Sequence, residues 1–291
     1  MMSRYTATDA MDTEAYVSVV IRNRNEAKYL RQVLPALSAQ SGARSQVILV
    51  DNASTDDSVE IARSYGATVV HLPEGEFTYG RALNVGMQAA TAEICVVLSA
   101  HSLPAGRSFL KACVGALSEP DIAGARCVYA GKSSDMLRWI DPEVLDGSAT
   151  LQDIISKGPL ASGCVIRRSV WLEIPFDEEV GAAEDKLWAA AVLKAGYKIL
   201  SPCDAFYFYV KPVSPITSLR YADRDLRAIY NATGRRFGAA AVAPSRTFLN
   251  ASWAIAVGVP QMGLSIIARE LTRVRLRFGF PKSPRTIASG R

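Results

Sequence analysis

The 291 residues hold two histidines, His71 and His101, and five cysteines, Cys95, Cys113, Cys127, Cys164 and Cys203, none in C-x-x-C spacing. Most of these thiols lie inside apolar runs, where a free cysteine packs as a small hydrophobe. That argues against structural zinc and for a reducing compartment. The first strand is not followed by G-x-G-x-x-G or by G-x-x-x-x-G-K-[ST], which counts against dinucleotide dehydrogenases and P-loop NTPases. Residues 1–14 are polar and acidic without an apolar h-region, so a flexible leader and no secretory signal are expected. Trp253 to Ile267 is apolar but is interrupted by Gly258, Pro260 and Gln261, and a bilayer span needs about twenty apolar residues. No transmembrane segment is expected.

Net charge is also small over most of the length. The formal net charge is +5, yet the segment from Arg269 to Arg291 alone carries seven basic residues and one acidic one, leaving the rest near neutrality. A nucleic-acid binder would spread a basic stripe with interleaved aromatics over its folded domain. No such stripe is present, and no nucleic-acid partner is expected.

With 49% hydrophobic and 21% charged residues, the composition is that of a globular protein. Five apolar residues, Ile94 to Leu98, have the length and β-branched content of a strand buried on both faces. They open onto Ser99-Ala100-His101 at the carboxyl end, where open α/β sheets bind ligands. Further strands are expected at Tyr16–Ile21, Val47–Val50, Thr68–Leu72, Ile122–Tyr129, Ser162–Arg167, Lys198–Leu200 and Ala205–Val210. Helices are expected after Asn25, a plausible N-cap, and at Val59–Tyr65, Arg81–Ala90 and Glu184–Ala195. Gly131 to Lys157 has weak periodicity and reads as a mobile excursion across the site. Beyond Ser218 the pattern is helical, around Leu219, Leu226 and Ile229, then Phe248–Val257 and Leu264–Arg277. Strands alternating with helices over short connections predict a parallel, doubly wound sheet.

Five blocks occur in order: Val19-Val20-Ile21-Arg22-Asn23-Arg24-Asn25-Glu26, Val50-Asp51-Asn52-Ala53-Ser54-Thr55-Asp56, Gly80-Arg81-Ala82-Leu83-Asn84-Val85-Gly86, Leu98-Ser99-Ala100-His101 and Ala183-Glu184-Asp185. Together they resemble the family 2 glycosyltransferases. Through Phe77 to Asn84 and Leu98 to His101 the likeness extends to bacterial rhamnosyltransferase-like members that build polysaccharides. The resemblance implies a GT-A fold, that is, a Rossmann-like, mostly parallel α/β sheet flanked by helices. The domain would span residues 15–215, with a helical extension and basic tail over 216–291.

The same resemblance implies donor contacts from Arg22, Asn23, Arg24, Glu26 and Asp51 to the base and ribose of a UDP- or dTDP-sugar. Arg81, Ser99, Ala100 and His101 would stand at its diphosphate. Asp51 can accept a pyrimidine N–H, or cap the next turn; Arg81 can meet phosphate at a helix N-terminus, or stay a solvated surface residue. Asp185, with Glu184, would be the base that deprotonates an acceptor hydroxyl in one inverting step. A first-turn acidic pair also complements a helix dipole. Ser162, Gly163 and Trp188 would line the acceptor cleft, the indole as a sugar floor.

The family's D-x-D motif reads Ser99-Ala100-His101 here, and its late histidine is replaced in Tyr209-Val210-Lys211-Pro212. His101 is then the one metal ligand in sight for Mn or Mg. An imidazole suits Mn, while Mg prefers oxygen. Lys211 or Arg81 could neutralise the leaving diphosphate instead. The expected activity is sugar transfer to a saccharide or lipid-linked acceptor in the cytoplasm. Arg269, Arg273 and Arg277 on one helical face suit the anionic inner face of the cytoplasmic membrane. Packing of that helix on its own domain, or on a second copy in a homodimer, is equally compatible with the pattern. A catalytically silent scaffold is the alternative from another class, and a sugar-nucleotide pyrophosphorylase lacks its glycine-rich loop here.

Overall fold

Runs of β-branched and apolar residues make the central strands of the computed structural model, which describes residues 15–131 and 141–233. The first half alternates strand and helix: β1 (Ala15–Asn23), α1 (Ala27–Ser38), β2 (Ala43–Asn52), α2 (Ser58–Ser64), β3 (Thr68–Leu72), α3 (Tyr79–Ala89) and β4 (Ile94–Ser99). The second half is more irregular: β5 (Ser102–Pro104), α4 (Phe109–Gly115), β6 (Ile122–Arg126), β7 (Val128–Ala130), β8 (Glu143–Leu145), α5 (Leu151–Lys157), β9 (Gly163–Arg167) and α6 (Arg168–Glu173). There follow α7 (Glu184–Lys194), β10 (Lys198–Ser201), β11 (Phe206–Tyr209) and α8 (Pro215–Thr233).

Eight strands form one sheet in the order β3-β2-β1-β4-β9-β6-β10-β8. β1 lies parallel to both β2 and β4, in registers that set Arg22 beside Ser99 and Asn23 beside Asp51. The expected parallel order holds from β3 to β4 and then breaks. β9 is antiparallel to β4 and to β6, and β8 is antiparallel to β10. The result is a mixed, mostly parallel sheet flanked by helices, the GT-A arrangement. The single strand expected over Ile122–Tyr129 is two, interrupted at Cys127: β6 stays in the large sheet, and β7 joins a second one, β5-β11-β7. The excursion at Gly131–Lys157 contains β8 and α5, the latter opened by a Thr150–Asp153 capping box.

Period-two alternation divides the core between the two faces of the sheet. Val17, Val19, Ile21, Leu49, Val96 and Leu98 pack against Leu30, Val33, Leu34 and Leu37 of α1 and Phe109 and Leu110 of α4. Val20, Ile48, Val50, Cys95 and Val97 pack on the other side with Ala82, Leu83 and Met87 of α3 and Trp188, Ala189 and Val192 of α7. Each fully buried aliphatic side chain stabilises the fold by about 1.5–3 kcal/mol before entropy is counted, so these strands are the fixed frame on which the loops stand.

The chain divides into two compact units, and the described part of the second is residues 180–183 and 212–233. Within it, α8 carries an Asp223–Arg227 ion pair one turn apart (2.7 Å), and Arg224 lies 5.1 Å from the centre of the Tyr221 ring. No helix among the described residues is long and apolar enough to cross a membrane. The helices expected at Phe248–Val257 and Leu264–Arg277, and the basic tail, lie outside the described residues.

Candidate functional site

The loops leaving β1 and β2 are joined by side chains acting on backbone. Asn25 does not cap α1; its Oδ1 accepts from the Thr55 N–H at 2.7 Å, while its own N–H donates to Ser54 Oγ at 2.9 Å. The start of α1 is satisfied from across the gap, with the Glu26 N–H donating to Ser58 Oγ and the Ala27 N–H to Asp56 Oδ2. A side chain from the second loop serves the first helix, so neither loop moves alone. Non-glycine residues at positive φ are uncommon and cluster where function constrains backbone. Among the described residues they are Asn25 (54°), Ala53 (49°) and Ala183 (61°), each within two positions of a residue proposed from sequence.

Asp51 closes β2 in full burial. Its Oδ1 accepts from Asn23 Nδ2 at 2.9 Å and from Ser54 Oγ at 2.5 Å, and its Oδ2 accepts from the Ser54 N–H at 3.1 Å. The carboxylate therefore braces the loop and keeps a lone pair on Oδ2. Ser54 was not singled out from sequence, although it contacts both strand exits. Asn23 is only 4% exposed, and its Oδ1 has no hydrogen-bond partner among the described residues. Arg24 is exposed beside it.

At the exit of β4, Ala100 is buried and the His101 ring lies edge-on to Tyr209, with centroids 4.3 Å apart, and to Tyr29 at 6.1 Å. Burial first, then the charges of Lys211 and Arg22, push the His101 imidazole down to about 4, so it is neutral at pH 7. Its Nδ1 is 3.7 Å from Glu26 Oε1, beyond hydrogen-bond reach, and Lys211 Nζ donates to that same Glu26 oxygen. Among the described residues neither imidazole nitrogen has a hydrogen-bond partner, nor has the buried Ser102 Oγ. Leaving a buried polar atom unpaired costs about 1–3 kcal/mol. Asn23, His101 and Ser102 supply four of the five such side-chain atoms among the described residues. They stand at the exits of neighbouring strands β1 and β4.

Helix α7 is tied to the same end of the sheet. Arg22, the penultimate residue of β1, reaches α7: its Nη1 donates to Glu184 Oε1 at 2.8 Å, its Nη2 to the Ala161 carbonyl at 3.2 Å, and its guanidinium lies 5.1 Å from the Tyr79 ring centre. Burial pushes the Glu184 carboxyl up; Arg22 opposes this and Asp185 adds to it, leaving it at about 7. Asp185 is partly exposed in the first turn of α7. Its Oδ2 accepts from the Ala161 N–H at 2.8 Å and its Oδ1 from the Lys186 N–H at 2.7 Å, leaving each oxygen a lone pair.

Other residues proposed from sequence fall elsewhere. Trp188 is a core residue, 2% exposed, with its indole N–H on the Ile174 carbonyl (2.8 Å) and its ring beside Phe176. It presents no face to a sugar, because α7 is buried around most of its circumference. Gly163 pairs with Leu98, and a Cβ there would sit 2.3 Å from the Tyr207 ring. Its role is to admit that ring, whose hydroxyl meets Ser162 Oγ at 2.9 Å. Arg81 opens α3 beside the Thr78 cap, and its side chain pairs with Glu76. Asn84, within a quoted block but without an assigned role, accepts from Trp171 Nε1 and the Phe176 N–H and donates to Phe176 O and Glu178.

The resemblance implies a divalent cation at the β4 exit, and the residues present do not fit one. Among the described residues the carboxylate within 4 Å of the imidazole is that of Glu26, already paired with an ammonium, and there is no group of three or more His, Cys, Asp or Glu able to hold a metal.

Comparison with known proteins gives a consistent result. The family model described as glycosyl transferase family 2 matches residues 18–165. An uncharacterised glycosyltransferase of Mycobacterium tuberculosis is 42% identical over 91 residues, 31% of this chain and 39% of that protein. An O-antigen chain rhamnosyltransferase of Salmonella typhimurium is 23% identical over 197 residues, 63% of this chain and 62% of that protein. The chain thus matches less than two thirds of the length of either relative. Among solved structures, a mannosyltransferase from Pyrobaculum calidifontis, in complex with GDP-Man and Mn2+, superposes with a TM-score of 0.64 at 20% identity, covering 93% of this chain and 89% of that one.

Proposed function

Because the chain belongs to glycosyl transferase family 2, we propose that it is an inverting enzyme. It moves a hexose or deoxyhexose from a UDP- or dTDP-sugar to a hydroxyl of a saccharide or lipid-linked acceptor in surface polysaccharide assembly. The observation that carries this reading is the 2.8 Å bridge from Arg22 to Glu184, which ties the first turn of α7, and with it Asp185, to the strand end whose neighbours hold the unpaired Asn23, His101 and Ser102 atoms. The O-antigen rhamnosyltransferase among its relatives supports the polymer class, and the mannosyltransferase of like fold, solved with GDP-Man, supports a nucleotide-sugar donor.

Asp185 takes the proton of the acceptor hydroxyl. The freed oxygen attacks the anomeric carbon from the face opposite the diphosphate, and the carbon–oxygen bond to the diphosphate breaks with its electron pair on the leaving group. The backbone N–H groups of Ala161 and Lys186 fix the carboxylate's direction. Asn23, Arg24 and Asp51 stand toward the base and ribose. General-base help is worth about a hundredfold to ten-thousandfold. Asp185→Asn is expected to lower kcat by that factor while nucleotide-induced thermal stabilisation is retained. Undiminished turnover would remove Asp185 from the reaction. The departure from D-x-D favours a second reading, a silent scaffold. Slow donor hydrolysis that disappears in Asp185→Asn excludes it.

A further inference from the structure

Resting on that reading, we propose that Lys211 supplies the positive charge that seats and discharges the donor diphosphate, in place of a divalent cation. Three observations converge on it. The Val210 N–H donates to the His101 carbonyl at 3.0 Å, continuing the antiparallel β5–β11 ladder by one residue, so the backbone delivers Lys211 to the β4 exit. The side chain is 41% exposed while its partner Glu26 is only 11% exposed, so of the two it is the lysine that a solute can reach. Beside Glu26 stands the imidazole of His101, and at the end of β1 the Oδ1 of Asn23; neither the two nitrogens nor this oxygen has a hydrogen-bond partner among the described residues.

The neighbouring cations are committed differently. Arg22 is held by Glu184 and the Ala161 carbonyl, and Arg81 by Glu76. A diphosphate carries more charge than one carboxylate and draws Lys211 from Glu26. Glu26 then turns to His101 Nδ1, 3.7 Å away, so neither group is stranded. As the anomeric carbon–oxygen bond breaks, the electron pair settles on the diphosphate oxygen facing the ammonium, and the acceptor's proton goes to Asp185. No further reactant is needed.

The test uses the full chain with uridine, UMP, UDP, dTDP and GDP, each in excess EDTA and in Mn2+, followed by thermal shift and calorimetry. At least one diphosphate is expected to bind in EDTA within about twofold of its affinity in Mn2+. Lys211→Met is expected to weaken that diphosphate by about ten- to a hundredfold, the value of a charge-assisted hydrogen bond, and to leave the nucleoside unchanged. Lys211→Arg should recover most of the loss. A merely structural lysine would weaken nucleoside and diphosphate alike, and that result overturns the proposal. Diphosphate binding that requires Mn2+ overturns it too while leaving the transferase reading intact. Failure of every nucleotide to bind removes both.

Discussion

Two buried ionisable groups, Glu184 and His101, respond to pH in opposite directions. Glu184 is pushed up from 4.5 to about 7, so between those values the folded protein holds a proton that the unfolded chain releases, and its contribution to stability falls as pH rises. His101 is pushed down from 6.5 to about 4. Over that window the unfolded chain holds the extra proton, and stability rises with pH. Across the overlap the two slopes oppose each other. Thermal melts of the wild type between pH 4.5 and 6.5 should therefore be nearly flat. Glu184→Gln should melt progressively higher as pH rises through this window, and His101→Gln progressively lower. The span is on the order of 2 kcal/mol. Parallel profiles for all three proteins would refute the assignment. Nothing in the sequence announced the burial of Glu184 against Arg22: the two are 162 positions apart, and the residues alone showed only an acidic pair at a helix start.

At the scale of elements, α3 depends on Gly86. A Cβ there would come within 2.3 Å of Val20 Cγ1 and 2.9 Å of Val50 Cγ2, on adjacent central strands whose branched side chains have one comfortable rotamer. Gly86→Ala is expected to lose about 1–3 kcal/mol in denaturant melts. Gly115→Ala, with nothing within 4 Å of its Cβ, should be neutral or slightly stabilising. What the sequence revealed follows from the same physics. β1 to β4 and the helices between them were readable because a doubly covered strand is a continuous apolar run with polar ends. The antiparallel direction of β9 was not, since composition carries no sign for strand direction. The split at Cys127 was hidden because β6, the break and β7 are all largely apolar. Trp188 lies three positions beyond Asp185 and can share its helical face, but a shared face implies exposure only where the helix has an exposed face, and α7 buries Trp188.

For the molecule as a whole, all five cysteines are buried and none is joined in a disulfide, and they are distributed between both sides of the large sheet. Burial pushes Cys95 up to about 12 and holds Cys164 far above the ordinary thiol range, so thiolate is scarce as well as enclosed. Ellman's reagent should label almost none of the five in the native protein and all five in denaturant. Rapid labelling of one or more in buffer would mean that the core opens far more often than this packing allows.

The position of β9 also has a cost during synthesis. A ribosome releases the whole alternating first half, ending in β4, before it makes the strand that will lie along β4's free side. Until then the backbone donors and acceptors of an oily ribbon face outward on that rim, open to any other extended chain nearby. A fragment cut after β4 would keep that rim permanently, so it should clump rather than persist as a miniature nucleotide-binding domain.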